Sequence, residues 1–192
     1  MSRIPSHTIE DAPEAARPLL EDMIQFSPSG RLLNMHAQMA HAPAVLDAYV
    51  SIRRASSKHG TLEMPVRAAL MLVAAAADGS EYALAVISTL ALRSGWRNDQ
   101  LEALIAGKEL GEEKTDALIA VVREASVNSG RVSDATWARA VAVGWTDEQL
   151  AEAFTYLGLT VFTSYFLNYA ATELDIPARP DGQAGAPGPA GG

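Results

Sequence analysis

The chain has 192 residues, 48% of them hydrophobic and 20% charged, with no cysteine and a formal net charge of −8. That length suits one domain with a small appendage. The missing thiols exclude disulfides, thiolate nucleophiles, thiolate metal sites and iron–sulfur clusters, and an acidic chain with no Lys/Arg run longer than two offers nucleic acid no basic surface.

The pattern is helical almost throughout, and an all-α fold is expected. Asp11 can cap a first helix reaching about Ile24, with Ala15, Leu19, Leu20 and Met23 on one face; Pro18 either kinks that helix or delays its start. Ser27-Pro28-Ser29-Gly30 breaks the chain, and a short helix from Leu32 to Ala40 follows. Pro43 suits the first turn of the next helix, which carries Val45, Leu46, Tyr49, Val50 and Ile52 and ends at Gly60 as a C′ residue. Pro65 to Ala77 has almost no polar face, with Arg67 its one charge, and is read as a buried helix. Asp78-Gly79 turns the chain, and Ser80 can cap a helix from Glu81 to Arg93.

Gly95 to Leu101 then resembles Gly144 to Leu150: each has a Gly-Trp pair closing one helix and a polar cluster opening the next, and Thr146 with Gln149 forms a capping box. A helix-turn-helix unit used twice is one reading, and convergent helix caps are the other. Trp96 and Trp145 are expected to staple helix ends. Helices also fit Glu112 to Val127, Ser133 to Val143, and a long apolar stretch from Glu148 to about Leu174, bent near Gly158 if anywhere. After Pro177 the Pro/Gly-rich tail, 178–192, is expected to be disordered, leaving one domain over 1–177. The first residues lack the apolar core of a secretory signal, and the longest apolar run, Ala68 to Ala77, is about half of a bilayer span. A cytoplasmic chain without a membrane or nucleic-acid partner is therefore expected.

Several landmarks, in order, resemble the carboxymuconolactone decarboxylase / alkylhydroperoxidase D superfamily, and its peroxidase-related branch in particular. Asn34 to Tyr49 resembles an Ala-His-x-Pro approach segment. Thr61 to Arg67 resembles the family's Leu-x-x-x-x-Arg-Glu helix start, and Asp78 to Tyr82 its Asn-Gly-Cys-Glu-Tyr-Cys turn. Ala91 to Leu104 resembles the stretch after the motif helix, and Phe162 to Pro177 the closing helix. The resemblance covers roughly residues 5 to 177. It implies an alkylhydroperoxidase D-like helical bundle, a homo-oligomer (dimer, trimer or hexamer), and a site near the N-terminus of the motif helix.

The thiol peroxidases of this superfamily use a C-x-x-C-x-x-x-H motif and a preceding glutamate, in which a thiolate attacks the peroxide and His with Glu relays the proton. Here those positions are Ser80, Ala83, Ile87 and Ala68. A serine hydroxyl without a base is a poor nucleophile and forms no reversible disulfide, so thiol peroxidase activity is excluded. The decarboxylase branch keeps the histidine, and Ile87 removes support for that reaction too.

The remaining candidates surround the same place. Glu81, if partly buried, is a candidate general base and Tyr82 a donor to a developing oxyanion, with His41 a third candidate catalytic group. Ser80, His36 and Asn168 are candidate substrate-binding residues. Each also has a plain structural role: a helix-start charge, a packed ring, a cap, or a buried amide that needs a partner. No H-x-x-x-H or H-E-x-x-H pair occurs among the four histidines, so neither a metal nor a cofactor is implied. The reading is cofactor-free acid–base chemistry, of lyase, decarboxylase or isomerase type, on a small organic substrate. The alternatives are a non-catalytic ligand-binding or structural oligomer, and a subunit whose site a partner chain completes.

Overall fold

The computed structural model describes residues 1–25, 27 and 30–177, so the Pro/Gly-rich tail and part of the break at 27–30 lie outside the described residues. The described residues form helices and no strand. A 3₁₀ turn at Glu14–Ala16 leads into α1 (Arg17–Gln25), α2 (Asn34–Met39), α3 (Pro43–His59), α4 (Met64–Ala77) and α5 (Glu81–Arg93); α6 (Asn98–Ile105), α7 (Glu113–Val127), α8 (Asp134–Ala142) and α9 (Asp147–Ala170) follow. Pro18 delays the first helix rather than kinking it: it occupies the first turn of α1, where a missing N–H costs nothing. Asp11 does not cap that helix. Its carboxylate accepts from the Thr8 N–H and meets His7 Nδ1 at 2.8 and 2.9 Å.

The Ala-rich α4 is the centre of the fold. Ala68, Ala69, Leu70, Leu72, Val73, Ala74 and Ala75 are all buried, and the small side chains let α5, α6, α7 and α9 pack around it. Gly60 ends α3 for a reason other than the one expected. Its φ is −68°, so it is not a left-handed C′ residue. A Cβ there would press on the Ser56 carbonyl, stand 2.7 Å from Glu152 Oε1 and 2.9 Å from the Tyr156 hydroxyl.

The internal repeat is present in atomic detail. Trp96 Nε1 donates to the Pro65 carbonyl at 2.8 Å, and Trp145 Nε1 to the Lys114 carbonyl at 2.7 Å. Pro65 and Lys114 are each the second residue of a helix, α4 and α7. The Gln100 and Gln149 side chains accept the N–H of Arg97 and Thr146 at 3.1 and 3.2 Å. Gly95 and Gly144 both take positive φ, +105° and +90°, as the closing turn of a helix requires. The units α4-α5-α6 and α7-α8-α9 are thus built on one plan, and both tryptophans staple helix ends.

The long helix α9 is continuous through Gly158 and stops at Ala170, where Ala171 turns left-handed at φ +50°. By length and composition α9 would pass for a bilayer span, which the longest uninterrupted apolar run did not reveal; half of that window is buried inside the domain. Beyond it a short strap returns across α2 and α5. Thr172 Oγ1 meets Gln38 Oε1 at 2.6 Å, and Asp175 accepts the Asn34 N–H at 2.9 Å and the Tyr82 hydroxyl at 2.6 Å.

Candidate functional site

A cavity of about 550 Å³ opens between α1, α2, α3, α4, α5 and α9. Two positions of the degenerate motif, Ala83 and Ile87, face it from α5, beside Val86 and Leu90. Met35, Met71, Leu159 and Leu167 continue the apolar wall. Thr160 and Thr163 also line it, but their hydroxyls donate to the carbonyls of Tyr156 and Leu159 within α9, at 2.8 and 2.7 Å. The rest of the wall is apolar except at two tyrosines, Asp22, Ser56, Ser57 and a cluster of cations. Ile87 borders this space without filling it.

Tyr49 and Arg53, one turn apart on α3, form the first polar feature: Arg53 Nη1 donates to the Tyr49 hydroxyl at 2.9 Å. Across the cavity the Tyr156 hydroxyl donates to Glu152 Oε1 at 2.8 Å, also one turn apart, and the Arg67 guanidinium lies 5.8 Å from the Tyr156 ring centre. Burial, then the bonded Glu152 carboxylate, pushes the Tyr156 hydroxyl well above the usual tyrosine range. Partial burial opposes ionisation of Glu152. Donors from Thr61, Tyr156 and Leu62 outweigh it and hold the carboxyl below its usual value. Both signs point the same way, so the proton stays on tyrosine.

The six residues singled out from sequence lie elsewhere. Glu81 is exposed, so the partial burial asked of a general base is not met. The Tyr82 hydroxyl is committed to Asp175, and burial followed by that bond raises its pKa far above normal. His41 is exposed, stacked on His7 with ring centres 3.9 Å apart, and Nε2 meets the Pro5 carbonyl at 2.9 Å. Ser80 is buried and caps α5 through the Ala83 N–H. Asn168 is exposed, its Nδ2 3.4 Å from the Asp78 carbonyl, and belongs to a shallow aromatic groove with Tyr165 and Tyr169. His36 packs against Tyr49 with ring centres 5.3 Å apart, behind the cavity wall. None of the six lines the cavity.

Tyr49, Arg53, Tyr156 and Glu152 did not stand out in sequence. The available signal was a polar pair at i, i+4 inside an otherwise core-facing helix, Tyr-x-x-x-Arg in α3 and Glu-x-x-x-Tyr in α9. Among the described residues no three His, Asp or Glu side chains stand close enough to share a metal ion.

No family model matches the sequence, and no curated protein matches it. Solved structures do. A cysteine-to-alanine variant of the debrominase Bmp8, in complex with 2,3,4-tribromopyrrole, superposes with a TM-score of 0.77 at 16% identity over 91% of this chain and 92% of that one. A peroxidase-related protein with an alkylhydroperoxidase AhpD core from Ralstonia eutropha JMP134 gives 0.80 at 16% identity over 91% and 92%. A second peroxidase-related protein, from Silicibacter sp. TM1040, gives 0.70 at 15% identity over 90% and 94%. With the helices of the described residues in place and likenesses of this extent, the chain has the alkylhydroperoxidase D-like fold.

Proposed function

We propose that the protein is a thiol-free member of the carboxymuconolactone decarboxylase / alkylhydroperoxidase D superfamily that binds a small organic molecule in the cavity between α3, α4, α5 and α9. The carrying observation is that Ala83 and Ile87, which replace a cysteine and a histidine of the redox motif, line a cavity of about 550 Å³. That volume lies within the range of small-ligand sites. A debrominase of the same fold binds a halogenated pyrrole, which supports a compact, apolar occupant here.

Binding is favoured over acid–base turnover. A proton-transfer pair needs matched affinities, whereas Tyr156 is held protonated and Glu152 ionised. Their contact acts as a fixed hydrogen bond. The test uses the neutral fluorophore N-phenyl-1-naphthylamine. Saturable binding to the wild type is expected, and Ala83→Leu, which puts a larger side chain into the space, should weaken it at least ten-fold with unchanged circular dichroism. No saturable binding, or equal binding by the folded variant, would overturn the reading.

A further inference from the structure

The cavity carries four cationic side chains, Arg53, Arg54, Lys58 and Arg67, against one carboxylate, Asp22. This imbalance occurs in a chain whose net charge is −8. Asp22 is already paired with Arg54. Arg67 gives its Nε and Nη2 to the carbonyls of Leu62 and Gly60 rather than to an acid. Glu152, the nearest carboxylate to Tyr156, is occupied by donors from Thr61, Leu62 and Tyr156. Lys58 has no ion-pair partner among the described residues.

Arg53 is the informative one. It is half-buried, its guanidinium lies 5.6 Å from the Tyr49 ring centre, and Nη1 donates to the Tyr49 oxygen. Among the described residues its Nε and Nη2 make no hydrogen bond. Tyr49 is 4% exposed, and with its oxygen accepting from Arg53, its own proton has no acceptor among the described residues. A half-buried guanidinium without a counter-ion and a buried hydroxyl proton without an acceptor are both costly unless a ligand answers them. A carboxylate answers both, because its two oxygens match the remaining guanidinium donors and the phenolic O–H.

We propose that the cavity selects an apolar organic carboxylate, its body against Ala83, Ile87 and Leu159 and its carboxylate held by Arg53 and Tyr49. The proposal rests on the cavity being a ligand site, and the experiment separates the two claims. N-phenyl-1-naphthylamine bound to the full chain is displaced with either 2-naphthoate or its neutral isostere 2-naphthamide. The naphthoate should displace at least ten-fold more effectively, and 0.5 M NaCl should weaken it while leaving the amide unchanged. Arg53→Met should reduce the preference to within about three-fold, and Tyr49→Phe should lower it partway. Equal displacement by acid and amide in the wild type overturns the carboxylate proposal and leaves the ligand site standing. Failure of the fluorophore to bind at all removes both. If Arg53→Met does not fold, the wild-type ratio and its salt dependence still decide the matter.

Discussion

His36 is 5% exposed, and its Nε2 has no hydrogen-bond partner among the described residues. Burial, helped by the nearby Arg53 charge, lowers its pKa to about 3 from 6.5. Between those two values the unfolded chain takes up a proton that the folded chain refuses. Stability should therefore fall as pH drops through this window, by up to about 1.4 kcal/mol per pH unit from this group. Urea midpoints measured from pH 4 to 7 should show that slope, and His36→Phe should flatten it. Asp78 has the opposite sense. Burial raises its carboxyl, against a smaller opposing contribution from the neighbouring Ser164 hydroxyl. At pH 7 the fold holds a carboxylate it disfavours, so Asp78→Asn should raise the melting temperature there and lose its advantage toward pH 4. At this scale the residues singled out from sequence lie near the cavity in the chain without lining it. Ala83 and Ile87 do face the cavity, but the polar groups beside them in sequence turn outward or into structural bonds. A polar residue's place in the sequence says nothing about which way its bond vector points, and the cavity's polar groups come from α1, α3, α4 and α9.

The helices follow rules that single residues make legible. Ser80 caps α5 through the Ala83 N–H, and Ser133 caps α8 through the Thr136 N–H. Ser80→Ala should cost about 1 kcal/mol in chemical denaturation while leaving fluorophore affinity unchanged, because Ser80 does not line the cavity. Gly60→Ala should cost about 1–3 kcal/mol despite an ordinary φ, because its Cβ would crowd Glu152 and Tyr156; a variant that melts like the wild type would show that Glu152 yields. Proline and glycine marked most helix ends correctly. The end of α9 was misjudged by four residues because the stop is set by tertiary contacts. Asp175 bonds Asn34 and Tyr82, and that pull begins the strap at Ala171. No local signal at Ala171-Thr172 announces it.

For the whole molecule, the repeated Gly-Trp junction was the most readable long-range feature. A seven-residue likeness, with four residues identical, left duplication and convergence open. The two tryptophan bonds to equivalent helix starts show one plan used twice. The cavity was not readable, because six of the described helices contribute to its wall and periodicity records only that a face is apolar, not whether it meets another face or a void. The first and last described segments also touch: the Arg3 N–H donates to the Ala170 carbonyl at 2.7 Å, its Nη1 to the Tyr169 carbonyl at 2.8 Å, and the Met1 ammonium pairs with Glu173. That contact brings the first and last described segments side by side. A circular permutant joined across it by a short flexible linker, and reopened between the exposed residues Lys108 and Glu109, would keep every helix and both tryptophan staples intact. Such a chain should melt cooperatively and bind the same fluorophore, with the order of its two halves exchanged.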